Sequence, residues 1–355
     1  MKTRRLELPK GASPRRWGQI HGESFAQEIK EVTAIRLGLC VRVGGFDGPK
    51  PVLELAKKHL KVLEDFDKDL HEELMGIAEG SGVDAPSILV NNHYTDLRDL
   101  GPAMDPTPKD DCTVALAHTK EGRVLVQTWD THASATPYVM MLRVPESERG
   151  PASWVFSIVG CLGMSGLNTA GVAVAINNLK SKDARIGLVW PALVRRMLLE
   201  RQAKGAFDIL MDSPLGSGHH YVIADTKEAF AVETSGHLKE VIFTGSEGTL
   251  VHTNHCLSDE VGACSAVAPT STPSERYDRM EASLRDAPPV DIPDLWSRFA
   301  SHEGYPRSIC THLATEDNPH GVSTCGASVM AVHSKQIWAV TGCMVENPLE
   351  EFEFS

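Results

Sequence analysis

Asp110 to Asp130 read DDCTVALAHTKEGRVLVQTWD. Within this stretch, Cys112–His118 (CTVALAH) and Arg123–Trp129 (RVLVQTW) are short apolar runs with β-branched residues, separated by a polar reversal at Thr119–Gly122. That pattern predicts a β-hairpin. Just before it, Leu100–Asp111 (LGPAMDPTPKDD) places three prolines in twelve residues. Proline removes backbone donors, so this segment is expected to be an exposed, non-helical connector. Cys112 therefore opens a strand directly after a connector, at the junction of two compositionally different parts of the chain.

On the N-terminal side of that junction, Trp17, Ile20, Phe25, Ile29, Val32, Ile35 and Leu39 recur mostly every three or four residues, and Leu53–Leu63, Leu70–Ala78 and Pro86–His93 continue the theme. Consecutive amphipathic helices are expected from Pro14 to about Asp96, broken at Val43–Gly48 and Glu79–Asp84. On the C-terminal side, strands are expected at Val139–Val144, Trp154–Val159, Val172–Asn177, His220–Asp225, Ala229–Glu233, Leu250–Asn254, Ser308–Leu313, Ala327–Val332 and Ile337–Thr341. Helical patterns interrupt them at Pro191–Gln202 and Glu275–Leu284. Helices in one block and hairpin-linked strands in another argue for an α+β fold rather than alternating βαβ units.

The 355 residues carry a formal net charge of −12 with 42% hydrophobic and 23% charged residues, a globular composition too acidic to track a phosphate backbone. The opening MKTRRLELPKGASPRRW lacks the apolar stretch of about 7–15 residues that an export signal needs. The uncharged Trp154–Leu179 stretch is broken throughout by Gly, Ser, Thr and Asn, so no membrane partner is expected. Eight cysteines stand singly without a CxxC pair, the pattern of reduced thiols in a cytoplasm.

A cysteine is a useful nucleophile when a base makes its thiolate. If the peptide bond before it is cut, its own α-amine can be that base, since an α-amine titrates near about 7.7–8.0. For Cys112 this demands that the Asp111–Cys112 bond break.

The hairpin, with Cys112-Thr113 opening one strand and Gln127-Thr128-Trp129-Asp130 closing the next, resembles the cleavage-site hairpin of the isopenicillin N acyltransferase family of N-terminal-nucleophile (Ntn) cysteine hydrolases. Gly11–Gly22 (GASPRRWGQIHG) is similar to that family's G…GxxHG segment, and Gly166–Leu179 (GLNTAGVAVAINNL) to its glycine- and asparagine-bearing strand pair. Val251–Leu257 (VHTNHCL) and Tyr305–Cys310 (YPRSIC) resemble its HTNH and YPxSIC motifs, in the family's order. The resemblance implies an αββα four-layer sandwich with an N-terminal helical segment. It also implies a precursor that cuts itself into residues 1–111 and 112–355, the two fragments staying associated. Cys112 would be nucleophile and, after cleavage, α-amine base; Asp130 would orient that amine, and Asn254 would be an oxyanion donor. No cofactor or metal is implied.

Two departures stand out. The family's best-known member has arginine after SIC where this chain has Thr311, and the nearest arginine is Arg307. On a strand those positions would share a face about 13 Å apart, so Arg307 is a candidate rather than a substitute. Asp111 stands where that member has Gly, and its side chain either crowds the scissile turn or assists it.

His219-His220, His252-x-x-His255-Cys256 and Cys310-x-His312 invite a metal reading, but they lack the paired ligand clusters of zinc sites. Gly160-x-x-Gly163-x-x-Gly166 lacks the ending of a phosphate loop. The sequence therefore points to a self-processing cysteine amidohydrolase or acyltransferase acting on a small N-acyl amine or amide, with an acyl-CoA donor as the transferase variant. The alternatives are a ligand-binding pseudoenzyme of the same fold and a metal-dependent hydrolase using the histidines.

Overall fold

The strand-rich part folds into two sheets laid face to face, described over residues 1–103, 112–266 and 272–354 of a computed structural model. The first sheet has the order β1-β4-β5-β6-β7-β8-β9-β10. Its strands are β1 (Arg4–Glu7), β4 (Val139–Val144), β5 (Ser153–Ile158), β6 (Ser165–Asn168), β7 (Ala173–Leu179), β8 (Gly218–Ala224), β9 (Ala229–Thr234) and β10 (Lys239–Gly245). The second, of order β11-β2-β3-β12-β13-β14, comprises β2 (Val114–Thr119), β3 (Gly122–His132), β11 (Leu250–His252), β12 (Val322–Ala331), β13 (Gln336–Thr341) and β14 (Glu350–Phe352). The expected hairpin is β2–β3, with Val114 opposite Gln127 and Thr119 opposite Gly122.

The alternation along β2 and β3 sets the layers. Val114, Leu116 and Leu125 face the first sheet and its core, while Ala115, Ala117, Val124 and Val126 face the other way. That outer face is covered by α9 (Thr272–Asp286) and α10 (Ile292–Phe299) through Met280, Leu284, Ile292, Leu295 and Phe299. Beyond the first sheet, α7 (Ala203–Asp212) packs on β8 and β9, and α6 (Trp190–Met197) against α5 (Ala85–Asp99). With α1 (Pro14–Ser24), α2 (Ala26–Gly44), α3 (Pro49–Phe66) and α4 (Lys68–Ser81) this completes a helix–sheet–sheet–helix stack of the α+β class; a short α8 (Asp259–Ala263) follows β11.

The GxxHG segment turns out to be a packing device. A Cβ on Gly18 would lie 1.9 Å from Glu73 O, and one on Gly76 would lie 2.1 Å from Arg15 O, so α1 and α4 touch through backbone. Only glycine allows that approach. Burial, then the charge of Arg195, pushes His21 down to about 3, and the neutral ring accepts the Gly160 N–H at 2.9 Å.

Two strands lie outside the sequence expectations and one expectation is corrected. Ahead of the helices, β1 pairs in parallel with β4, Arg4 opposite Met140; four residues alternating between half-buried and exposed are too short to register as a strand. The half-exposed edge strand β10 (KEVIFTG) carries charges that mask its alternation. Ser308–Leu313, expected as a strand, is not one. Its amides turn inward, Thr311 N–H to Thr324 Oγ1 (2.8 Å) and His312 N–H to Pro306 O (2.9 Å), leaving the single bridge His312–Ser323.

Between the sheets, β6 is too short to flank all of β7, and Ile176 lies beyond its last paired residue. The Gln127 side chain fills the gap from the opposite sheet. Its Nε2 donates to Ile176 O (2.8 Å) and its Oε1 accepts from Ile176 N–H (3.0 Å), as a neighbouring strand would. Gln127→Leu would strand both backbone groups in the core at about 1–3 kcal/mol each. The expected result in urea unfolding is a lower midpoint at unchanged slope; an unchanged midpoint would show that the bridge contributes nothing.

Candidate active site

Cys112 lies two residues ahead of β2, buried between the layers. The next residue ties it to β3: Thr113 N–H donates to Thr128 Oγ1 (2.9 Å) and Thr113 O accepts from Thr128 N–H (2.9 Å). Residues 128 and 130 share a strand face. The Thr128 hydroxyl accordingly donates onward to Asp130 Oδ2 at 3.0 Å. The Cys112 thiol lies 3.9 Å from Asp130 O, at the long limit for a sulfur donor.

The carbonyl of Cys112 is gripped from two sides, by Asn177 Nδ2 on β7 and by Arg276 Nη1 on α9, each at 3.0 Å. Arg276 also donates to Thr113 Oγ1 (2.7 Å) and, through Nη2, to Asn254 Oδ1 (3.2 Å). Arg276 lies on the same buried stripe of its helix as Pro273, Met280 and Leu284. A guanidinium in that position keeps its charge only by finding acceptors inside the protein.

Asn177 continues the network inward. Its Oδ1 pairs with His220 Nδ1 (2.9 Å), His220 stacks on His252 with centroids 3.6 Å apart, and His252 Nε2 meets Glu233 Oε1 at 2.7 Å. Burial, then the neighbouring His252, holds His220 well below its ordinary value. For Glu233 burial alone would raise the pKa, but the His252 hydrogen bond and charge and the backbone N–H groups of Leu257 and Ser258 outweigh it and hold the carboxyl low.

Cys112 and Asp130 line a cleft with Trp129, Met164, Ile176, Asn178, Trp190 and His219. His219 Nε2 is held by Asp96 Oδ1 at 2.9 Å. Burial would raise Asp96, yet the fields of His93 and His219 keep it well below the usual carboxylate range. Asn178 Oδ1, Trp190 Nε1 and His219 Nδ1 are buried without a hydrogen-bond partner among the described residues. A second, larger cavity beside Trp17 and Arg149 has no cysteine among the described residues that line it, and the charges of Arg149, Asp69, Glu73 and Arg195 there are already paired.

Of the residues expected from sequence, Cys112, Asp130 and Asn254 converge, Asn254 through Arg276. The strand expected to reach Asn254 stops at His252, so Asn254 lies beyond β11, and its Nδ2 donates to Asn178 O at 2.9 Å. Arg307 is exposed and lines neither Cys112 nor its cleft, lying by a shallow depression with Arg276 and Thr311. The guanidinium at the cysteine is that of Arg276, and an arginine within the apolar stripe of a helix was the signal that could have found it. Asp111 lies outside the described residues. The adjacent Arg195 and Arg196 are paired by Glu73 and Glu200, each at 2.8 Å. His219, His220, His252 and His255 each bond elsewhere, whereas Cys310 and His312 meet His302 and Cys343 on the outer side of the second sheet.

Two facing sheets between helical layers, with a cysteine leading the first strand of a hairpin, make up the fold of the N-terminal-nucleophile hydrolases. A family model for acyl-coenzyme A:6-aminopenicillanic acid acyl-transferase matches residues 117–342, and the chain belongs to that family. The acyl-coenzyme A:6-aminopenicillanic-acid-acyltransferase 40 kDa form of Emericella nidulans is 27% identical over 306 residues, covering 84% of this chain and 82% of the relative. Among solved structures, penicillin V acylase from Agrobacterium tumefaciens is similar at 15% identity and a TM-score of 0.44, over 68% of this chain and 86% of its own. A mutant conjugated bile acid hydrolase from Clostridium perfringens is similar at 14% identity and a TM-score of 0.45, over 69% of this chain and 97% of its own.

The depressed Glu233 carboxyl predicts a pH dependence of stability. A group whose folded pKa lies below its unfolded value, here 4.5, contributes stability that is fully present above that value and is lost as pH falls through the folded pKa. Glu233→Gln should therefore lie below wild type in melting temperature at neutral pH, with the gap closing on acidification from pH 4.5 downward. A gap that stays constant across a melting series would refute the assignment.

Proposed function

We propose that this chain is a self-processing Ntn cysteine amidohydrolase or acyltransferase that takes a small N-acyl amine or amide through a thioester acyl-enzyme. The observation that carries the reading is the anchoring of Cys112. Its own carbonyl is held by Asn177 and Arg276 and its successor is locked to Thr128, so the thiol is presented beside Asp130 with its direction set.

In processing, the Cys112 thiol attacks the Asp111 carbonyl, the acyl group moves from nitrogen to sulfur, and the α-amine is released; water then hydrolyses the thioester. In turnover the α-amine takes the thiol proton as sulfur attacks the substrate carbonyl, and returns it to the leaving amine. The Asp130 carboxylate orients and stabilises the ammonium form. The Asn254 amide has a second N–H beyond the one given to Asn178, and that hydrogen serves the oxyanion. Arg276 is a positioning residue in this scheme. The unpartnered atoms of Asn178, Trp190 and His219 fit a substrate with both donors and acceptors beside its acyl carbonyl.

The relative's acyl-coenzyme A donor would bring several phosphates. Among the described residues lining the cleft, the arginine is Arg36, buried against Tyr94 and Trp129. This favours hydrolysis of a small amide over transfer from a polyanionic carrier. Fragments 1–111 and 112–355 would stay together after cleavage, because β1 pairs with β4 and the side chains of Asn91 and Asn92 cap the carbonyls of Val159 and Gly160.

Intact mass under denaturing conditions tests the reading. A cut before Cys112 divides 355 residues into 111 and 244, so wild type should give fragments of about 12 and 27 kDa while Cys112→Ala stays whole. Arg276→Met should slow splitting, by about 10²-fold for a misaimed thiol. A wild type that stays whole, or a Cys112→Ala that splits equally, overturns the proposal.

A further inference from the structure

The loop after α10 and the end of β13 bring four ligand-type atoms together on the outer side of the second sheet. They are His302 Nε2, Cys310 Sγ, His312 Nε2 and Cys343 Sγ, all within 4.8 Å of one another. The sulfurs are 3.9 Å apart and the two imidazole nitrogens 3.0 Å apart. The mixed edges, Cys310–His312 and Cys343–His302, are 3.5 and 3.4 Å.

Those edges can be compared with an ion's demands. With Zn–S of about 2.3 Å and Zn–N of about 2.0–2.1 Å, a tetrahedron has edges of about 3.8 Å between sulfurs, 3.3 Å between nitrogens and 3.6 Å between unlike atoms. Four of the six edges fall within about 0.3 Å of these, and the other two, Cys310–His302 and Cys343–His312, lie within 4.8 Å. Both cysteines are buried and both histidines half-buried, and the Met344 N–H points at Cys310 Sγ (3.4 Å), the kind of outer hydrogen bond that supports a metal-bound thiolate.

A disulfide would not explain the arrangement. Its sulfurs would sit about 2.05 Å apart, and it gives two imidazoles no reason to aim their Nε2 atoms at each other and at both sulfurs. We propose that His302, Cys310, His312 and Cys343 form a closed Cys₂His₂ site for a zinc-class divalent cation. Binding releases one proton from each thiol and uses both imidazoles neutral, so a dication with two thiolates leaves no net charge in a half-buried place. With four protein ligands and no open position the site is structural. It clamps the YPRSIC loop to the end of β13, and the same loop is pinned by Thr311 to Thr324, the residue opposite Asp130 on β12.

The test is zinc content by mass spectrometry after gel filtration of protein prepared with zinc, beside cobalt(II) spectra of the metal-exchanged protein. Wild type should retain about one zinc per chain, and its cobalt form should show tetrahedral d–d bands with thiolate-to-metal charge transfer. His302→Gln and Cys343→Ser should lose both signals. Circular dichroism verifies each variant's fold, and His302→Gln, altering a half-buried side chain, serves if the cysteine variant does not fold. Natively folded wild type without zinc, a folded His302→Gln with full zinc, or a Cys310–Cys343 disulfide in fresh protein would each overturn the site.

Discussion

A guanidinium taken out of water has to find acceptors where it lands, and at Arg276 that requirement joins three distant parts of the chain. The charge sits on the buried stripe of α9 and is met by the carbonyl of Cys112, the hydroxyl of Thr113 and the amide oxygen of Asn254. Each acceptor is thereby fixed relative to the others. The start of β2, the residues beyond β11 and the outer helical layer share one anchor, and a change in any of them would leave a buried polar group unpaired.

The same requirement explains why the space between the sheets is not purely apolar. Ile176 needs a partner beyond the end of β6 and receives the Gln127 amide. Asn177 leads to His220, His252 and Glu233, a chain ending on backbone N–H groups after β11. The HTNH motif thus divides its labour: His252 belongs to the buried network, while Asn254 belongs to the shell around the cysteine. Polar pairing of this sort specifies a unique arrangement of the layers, where an all-hydrocarbon interface would leave more than one.

The motifs that run through the chain therefore carry different kinds of constraint. GxxHG brings two helix backbones into contact and leaves a neutral histidine to cap Gly160. In the glycine- and asparagine-bearing strand pair, Asn168 holds its own turn, accepting from Ala170 and Val172 and donating to Leu198 O. YPRSIC holds a bent loop against β12 and contributes Cys310 to the cluster with His302, His312 and Cys343. Of the five motif segments, the hairpin carries Cys112, the strand pair holds its carbonyl through Asn177, and HTNH reaches it through Arg276.

Much was legible in the sequence where the signal is local. Periodicity located the N-terminal helices, with α1 and α2 as one run, the turn chemistry located the β2–β3 hairpin, and the ordered motifs identified the family and singled out Cys112, Asp130 and Asn254. What the sequence left open depends on distance in space. A run such as Ser308–Leu313 carries strand-forming residues, but its amides are claimed by Thr324 and Pro306, and propensity cannot foresee that competition. Likewise Arg307 lies inside YPRSIC, yet it is Arg276, carried in by a helix on the outer side of the sheet, whose guanidinium meets the Cys112 carbonyl. The cluster on the outer face of the second sheet follows the same rule: Cys310 and His312 are visible as a pair, while His302 and Cys343 join them only because a loop folds back on the end of β13. The sequence by itself determined the N-terminal helices, the hairpin and the residue that leads it, since these rest on neighbours along the chain. Only the tertiary structure decided which charges and ligands meet, because burial forces polar groups to pair with whatever the packing of the layers brings within reach.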